Sequence, residues 1–260
     1  MKILFIGDIV GKPGRQAVKA LLPNLVSRYK IDVVVANGEN AAGGFGITES
    51  TASELFFYGI DIITTGNHVW DKKEALPYLA KEHRILRPLN YPPGVPGSGS
   101  IVFSSRKKSP VAVVNVSGRV FMNIFDCPFR STKAALADIH ESAKIIIIDF
   151  HAEATSEKLA FGYYVDGQVS AVIGTHTHVQ TADERILPGG TAYISDVGMT
   201  GPLWGVIGIE KDQVIERFLT HMPRRFDVAE GKAILSAVVI EVDEESGKAR
   251  GIQRLQLTNP

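Results

Sequence analysis

The sequence predicts an α/β fold whose sheets are covered on both faces, with a mixed second sheet. Short apolar, β-branched segments alternate with helical stretches through the first 180 residues. The apolar residues within these segments are nearly continuous, which is typical of strands buried on both faces. Paired strands around short turns are predicted at residues 101–116 and again at residues 234–257, which favours the mixed second sheet.

The elements of the first part follow from these apolar segments. Five strands are predicted, at residues 2–6, 32–36, 61–65, 144–149 and 170–175. Three helices are predicted between them, at residues 14–30, 48–59 and 71–83. Pro23 should shorten or kink the first helix, because proline lacks the amide hydrogen that the helix needs.

The rest of the chain contains a loop and further strands. The proline-rich segment 87–100 is typical of a loop. Additional strands are predicted at residues 101–105, 111–116 and 119–125, and a closing hairpin at residues 234–243 and 249–257. Because no repeat, linker or low-complexity tract interrupts this order, we interpret residues 1–260 as one domain.

The composition argues against several classes of protein. Lys and Arg together number 28, as do Asp and Glu, so the chain lacks the basic excess of a nucleic-acid coating protein. The single cysteine, Cys127, excludes an intrachain disulfide and a cysteine-rich zinc site. The apolar run before Gly7 is too short for a secretory leader or a membrane span. We therefore expect a cytoplasmic protein that forms no stable complex with nucleic acid or membranes.

Polar residues able to bind metal lie at the ends of all five early strands. In open α/β sheets the functional crevice lies at the carboxyl ends of the strands. The residues at these ends are, in chain order, Asp8; Asn37, Glu39 and Asn40; Asn67 and His68; Asp149, His151 and Glu153; and His176 and His178. The last two are two residues apart, so in extended chain both rings would point to one face.

Each of these residues alone has a simpler explanation. Asp8 and Asn67 belong to residue types that form turns and helix caps, and a lone histidine is often a hydrogen-bonded residue at the core boundary. Their coincidence favours a metal site, since four of the seven histidines lie at three strand ends. Carboxylate, amide and imidazole together suit iron, manganese, zinc or cobalt, and so many ligands allow two ions that share a carboxylate.

Three other motifs fit less well. The segment GDIVGKPGR contains a Gly-Lys pair, but Pro13 stands where a phosphate-binding loop requires Ser or Thr. The segment GGFG at residues 43–46 lacks the spacing of a dinucleotide-binding fingerprint. Cys127 has no paired base visible in the sequence, which argues against a thiol nucleophile.

The order of the strand-end residues resembles that of the calcineurin-like metallophosphoesterases over residues 7–178. GNH at residues 66–68 and GTHTH at residues 174–178 are similar to the GNH[DE] and GHxH blocks of that superfamily. The segments GDIVGKPGR, NGENAAGG and MNIFDCPF are similar to its YmdB-like branch, whose members act on cyclic nucleotides. The resemblance implies a four-layer α/β/β/α sandwich of two mixed sheets flanked by helices.

Carried over residue by residue, the resemblance also implies a centre with two divalent metal ions. Asp8 and His178 would hold the first metal, and Glu39 would bridge the two. The second metal would be held by Asn67, His151 and His176. The resemblance implies iron, and manganese would fit the same ligands. A bridging hydroxide would attack the phosphodiester, and His68 would be the acid that serves the leaving oxygen.

Two departures from the superfamily pattern concern the first metal and the bridge. The usual D-x-H start is Asp8-Ile9-Val10 here, so the first metal loses a histidine. The bridging aspartate is replaced by Glu39, which Asn40 follows. Because Asn40 can offer an amide oxygen to the metal that Val10 cannot serve, we include it among the ligands of the first site.

The predicted function is metal-dependent hydrolysis of a cyclic nucleotide of the 2′,3′-cAMP type, and this substrate class depends on the resemblance. The alternative is a regulatory protein that binds metal and nucleotide with little or no turnover, which the missing D-x-H histidine favours. Redox chemistry at a non-haem iron is a third interpretation, disfavoured by the surplus of ligands and the GNH block. Both a monomer and a homo-oligomer are compatible with the sequence.

Overall fold

The computed structural model describes residues 1–105 and 108–258, which form two mixed sheets and six α-helices. The strands are β1 (Lys2–Ile6), β2 (Asp8–Ile9), β3 (Val33–Asn37), β4 (Ile62–Thr64), β5 (Ile85–Leu86), β6 (Ser100–Ser104), β7 (Pro110–Ser117), β8 (Ile145–His151), β9 (Ala171–Thr175), β10 (Arg185–Ile186), β11 (Ala192–Ile194), β12 (Met199–Pro202), β13 (Ala233–Val242) and β14 (Ala249–Thr258). The helices are α1 (Gly11–Tyr29), α2 (Glu49–Phe57), α3 (Leu76–Leu79), α4 (Pro128–Ile139), α5 (Thr155–Tyr164) and α6 (Lys211–Thr220).

The first sheet brings the carboxyl ends of three early strands to one edge. Its order is β2-β12-β13-β1-β3-β4-β5, and β14 pairs with β13. Strands β1, β3, β4 and β5 are parallel, whereas β13 pairs with β1 antiparallel. Asp8, Glu39 and Asn67 follow β1, β3 and β4, so the parallel pairing places all three at the same edge.

The second sheet does the same for two later strands. Its order is β10-β11-β9-β8-β7-β6, with β7, β8 and β9 parallel to one another. Strands β6 and β10 pair antiparallel with their neighbours, which makes this sheet mixed as well. His151 ends β8 and His176 follows β9, so these histidines lie at one edge of the second sheet.

Alternation of side chains along the strands produces four layers. In β1, Leu4 packs into the core under the helices of the first sheet, and Phe5 packs into the core between the sheets. In β8, Ile147 lies between the sheets, while Phe150 stacks on Phe161 of α5 at 4.1 Å between ring centroids. Both faces of both strands are therefore buried, which explains their uninterrupted hydrophobicity. The predicted α/β/β/α sandwich is confirmed, and the extent of the domain, residues 1–260, stays a prediction.

Proline affects the two predicted helices that contain it in different ways. Helix α1 continues through Pro23 to Tyr29, so the proline does not shorten it. The helix predicted at residues 71–83 is reduced to α3, preceded by a 3-10 turn at Lys73–Ala75. Pro77 lacks an amide hydrogen and is tolerated best in the first turn of a helix, so it favours a helix that begins near residue 76 over one that begins at residue 71.

The strand predicted at residues 119–125 is also absent from the described structure. Phe121 has a left-handed backbone (φ 61°), and Phe121 and Ile124 are almost fully exposed. Their side chains gain no burial, so nothing favours an extended, paired conformation there. The hairpin of β13 and β14, by contrast, forms as predicted.

The helices of residues 1–105 and 108–258 include none that combines the length and the apolar character required to cross a lipid bilayer.

Candidate metal centre

Side chains from both sheets meet in one cleft at the carboxyl ends of the strands. The residues predicted to lie there are brought together: Asp8, Glu39, Asn40, Asn67 and His68 from the first sheet, and His151, His176 and His178 from the second. Glu39 and His151 are fully buried, whereas His68 and His178 are only partly buried. The cleft is therefore buried at its base and accessible at its opening.

Four of these residues form a tight group around Nε2 of His151. This nitrogen lies 3.1 Å from Oε1 of Glu39, 3.1 Å from Oδ1 of Asn67 and 3.0 Å from Nδ1 of His176. Ligand atoms of Glu39, His151 and His176 all lie within 4.8 Å of one another, close enough to hold one metal ion.

Asp8, Asn40 and His178 form a second group beside the first. Nε2 of His178 lies 3.2 Å from Nδ2 of Asn40 and 3.9 Å from Oδ1 of Asp8. Nδ2 of Asn40 also lies 3.3 Å from Oε1 of Glu39, so Glu39 contacts both groups. Oδ1 of Asp8 and Oδ1 of Asn40 are buried with no hydrogen-bond partner among the described residues. A cation would satisfy both oxygens, which are costly to bury unpaired.

His176 and His178 each use one ring nitrogen for an acceptor outside the cluster. Nδ1 of His178 lies 2.9 Å from the carbonyl oxygen of Ile207, and Nε2 of His176 lies 3.1 Å from Oε2 of Glu153. A carbonyl or carboxylate oxygen can only accept, so these nitrogens carry the hydrogen. Nε2 of His178 and Nδ1 of His176 therefore keep their lone pairs. These are the tautomers in which the two nitrogens can bind a metal.

A buried relay fixes His151 in the same way. The Thr175 hydroxyl donates to Oδ1 of Asp149 at 2.7 Å, so at 2.9 Å it accepts from Nδ1 of His151. Oδ2 of Asp149 in turn accepts from Nδ2 of Asn37 at 2.9 Å, which joins the second sheet to the first. Burial raises the pKa of Asp149 to about 7. Asn37 and Asp149, found at strand ends in the sequence, therefore support the ligands from beneath.

The charges in the cluster are strongly coupled. Burial alone would raise the pKa of Glu39, but the adjacent His151 holds it below its usual range. Burial alone would lower the pKa of His151, but the charges of Glu39 and Asp8 raise it. Burial and the charge of His151 lower the pKa of His176 to about 3. His176 is therefore a ready lone-pair donor, whereas a cation binding here displaces a proton from His151.

The glycine of the GNH block makes room for two of the ligands. A Cβ atom on Gly66 would lie 2.2 Å from Oε2 of Glu39 and 2.3 Å from Nε2 of His151. Any side chain at this position would fill the space that these two groups occupy.

We predicted that His176 and His178 end a strand, but they lie in a turn after it. Strand β9 ends at Thr175, and His176 and His178 have left-handed backbones with φ of 98° and 66°. This conformation is uncommon outside glycine, so surrounding contacts must hold the turn. The prediction that both rings reach one cleft is nevertheless in agreement with their positions.

A buried ion pair supplies those contacts. Nζ of Lys158 donates to Oδ2 of Asp196 and to the carbonyl oxygen of Thr175, both at 2.8 Å. The same Asp196 oxygen accepts from the backbone of Thr177 at 3.0 Å. Lys158 and Asp196 are both almost completely buried. Nothing in the sequence pattern distinguishes them from ordinary helix and loop residues.

His68 lies at the wall of the cleft. Its Nδ1 is 2.8 Å from Oδ2 of Asp71, its ring packs edge-on against Phe45, and its side chain is 29% exposed. The backbone nitrogen of His68 donates to Oε2 of Glu39 at 3.3 Å. Asp71 was missed in the sequence, where the three-residue spacing from His68 was the available signal.

Comparison with known proteins gives a match over most of the chain. The model of a family described as YmdB-like protein matches residues 4–255. The 2′,3′-cyclic-nucleotide 2′-phosphodiesterase of Bacillus subtilis (strain 168) is 51% identical, over 100% of this chain and 98% of that protein.

Two solved structures have the same fold. A hypothetical protein from Thermus thermophilus superposes with a TM-score of 0.94 at 43% identity, covering 100% of both chains. A phosphatase from Mycoplasma pneumoniae superposes with a TM-score of 0.92 at 36% identity, covering 99% of this chain and 93% of that one.

Replacing Thr175 by Val should weaken metal binding about 10–100-fold, because the acceptor that orients His151 is lost. Thr175→Ser keeps the hydroxyl and should bind metal as the wild type does. Competition with a chelator measures both affinities. Equal affinities of the Val and Ser variants would show that the relay does not orient the ligand.

Replacing Lys158 by Met should lower the free energy of unfolding by about 3–5 kcal/mol, because Asp196 would remain buried and charged without its partner. Chemical denaturation measures the change. Lys133→Met, at an exposed position on α4, is the matched control and should change the value by no more than about 0.5 kcal/mol. A loss at Lys158 no larger than the control's would contradict the structural role of the ion pair.

Proposed function

The chain belongs to the YmdB-like family, and from this and the geometry of the metal centre we propose that it is a metal-dependent phosphoric diester hydrolase that opens 2′,3′-cyclic nucleotides. The convergence of imidazole lone pairs and unpaired oxygens in one cleft is the observation that carries the proposal. The named activity of the Bacillus subtilis relative supports the substrate class.

We assign seven residues as metal ligands. Glu39 contacts both groups of ligands, which supports its assignment as the bridge. The remaining ligands are Asp8, Asn40 and His178 for the first ion and Asn67, His151 and His176 for the second. This mixed set of oxygen and nitrogen donors suits iron, with manganese as the alternative. When bound, two divalent ions neutralise phosphate charge and lower the pKa of a water molecule.

His68 is assigned as the acid for the leaving oxygen. Hydrolysis places a hydroxyl group on phosphorus, breaks the bond from phosphorus to O2′ and requires a proton on O2′. The ring of His68 lies at the accessible wall, and the backbone nitrogen of His68 donates to Glu39. Asp71 accepts from its Nδ1, which leaves Nε2 to face the substrate.

The proposal is tested by assaying 2′,3′-cAMP, 3′,5′-cAMP and bis-p-nitrophenyl phosphate. The protein is first chelated and then reloaded with Mn²⁺ or with Fe²⁺ under anaerobic conditions, and the bound metal is counted. We expect metal-restored cleavage with a preference for the 2′,3′ ring. Two bound metals without cleavage of any ester would contradict the proposal and favour binding without turnover.

Replacing His68 by Ala should lower kcat about 10²–10⁴-fold and leave the bound metal unchanged, because a proton donor is removed but no ligand. Asp71→Asn should lower kcat less. His140→Ala, at the exposed end of α4, is the control for loss of an imidazole elsewhere. Wild-type turnover by the metal-loaded His68 variant would exclude this role.

Cytoplasmic location and homo-oligomer formation stay predictions.

A further inference from the structure

The metal centre opens into a cavity of about 530 Å³, a volume in the ordinary range of small-molecule sites. Its lining includes the polar residues Glu39, His68, His176 and His178. Apolar residues, among them Phe45, Ile207, Phe218 and Phe226, line it as well. Hydrolysis of the phosphodiester uses only the polar groups, so the apolar lining requires a separate explanation.

Ile207 belongs to this apolar lining and has an unfavourable backbone conformation. Val206 and Ile209 exchange backbone hydrogen bonds at 2.8 and 3.0 Å, so Ile207 and Gly208 form a two-residue turn. Both have positive φ, 46° and 96°, which glycine or asparagine adopts with far less strain than a β-branched residue. The isoleucine side chain is 50% exposed, so burial in the core does not explain it.

The same turn is connected directly to a proposed metal ligand. The carbonyl oxygen of Ile207 accepts from Nδ1 of His178 at 2.9 Å. The backbone of Ile207 is thus held next to the metal centre, and its side chain lines the cavity there.

Phe218 contributes an aromatic ring to the same lining. It lies on α6, a helix in which Val214 is the buried side chain, and it is 74% exposed. An exposed phenylalanine contributes little to folding, but its ring at the mouth of a cavity can stack on a planar ligand.

We infer that Ile207 and Phe218 form a wall that binds the nucleobase of the substrate while the phosphodiester lies at the metal centre. This inference rests on the proposed function and extends it from the reacting group to the base. Every nucleobase has an apolar π-face, so stacking on Phe218 and contact with Ile207 would favour nucleosides over base-free esters without selecting one base.

The test compares two five-membered cyclic phosphodiesters, 2′,3′-cAMP and the base-free glycerol 1,2-cyclic phosphate. Phe218→Ala should lower kcat/KM for 2′,3′-cAMP about tenfold and leave kcat/KM for the glycerol ester unchanged. Phe218→Trp should retain the wild-type value for both. Phe57→Ala is the matched control, since Phe57 is 87% exposed at the end of α2 and outside the set of residues that lines this cavity.

Ile207→Asn provides a second variant with an independent readout. Asparagine tolerates the positive φ, so the free energy of unfolding should be unchanged or higher. The kcat/KM for 2′,3′-cAMP should nevertheless fall by several-fold, and that for the glycerol ester should not. If the Phe218 and Ile207 variants lose equal kcat/KM for both esters, or lose none for either, the proposal that this wall binds the nucleobase is wrong.

A binding measurement distinguishes failure of the proposed function from failure of this inference. If the metal-loaded wild type cleaves neither ester, the hydrolase proposal fails. Calorimetry with 3′-AMP then tests whether the wall binds a nucleobase. Weaker binding to Phe218→Ala but not to Phe57→Ala upholds it. Equal binding to both variants and the wild type overturns it.

Discussion

Imidazole nitrogens and carboxylate oxygens from two sheets face one another at 3.1 to 3.9 Å in a buried cleft, and the surrounding structure is arranged around this contact. Such a group of acceptors is unfavourable unless protons or cations lie between them. The outer nitrogens of His151, His176 and His178 are each bound by an acceptor, which directs the inner lone pairs into the cleft. Gly66 is required because the space beside it is filled by two of these groups.

The strain needed to build this site is concentrated beside it. His176, His178 and Ile207 all have positive φ, and the hydrogen bond from His178 to Ile207 connects them. The buried pair of Lys158 and Asp196 holds one end of this strained segment. The strained turn therefore depends on the ion pair, because it cannot keep its conformation without support from the buried layer beneath it.

Much of the fold and most of the site residues could be predicted from the sequence. Strands such as β1 and β8 are buried on both faces. Their uninterrupted hydrophobicity in the sequence therefore indicates that they lie in the interior of the fold. Strand ends carry the polar residues because the parallel pairing brings them to one edge.

The remaining features depend on contacts between residues far apart in the chain. Lys158 and Asp196 have no sequence signature, since their pairing arises only from the tertiary fold. The strand predicted at residues 119–125 was wrong because Phe121 and Ile124 stay exposed, which periodicity cannot reveal. Pro23 does not shorten α1, because tertiary packing of α1 against the sheet outweighs the lost hydrogen bond, and the predicted alternative of a kink stays a prediction.

The division of the ligands between the sheets has a consequence for the newly synthesised chain. Asp8, Glu39, Asn40 and Asn67 leave the ribosome first and offer only oxygen donors, the set that hard ions such as Mg²⁺ prefer. The imidazoles among the proposed ligands begin at His151, 84 residues after Asn67, and reach the cleft only when the second sheet docks against the first. The proposed ligand set can select a transition metal only once the sandwich is assembled, so tight loading with such an ion would mark a chain that has completed its folding.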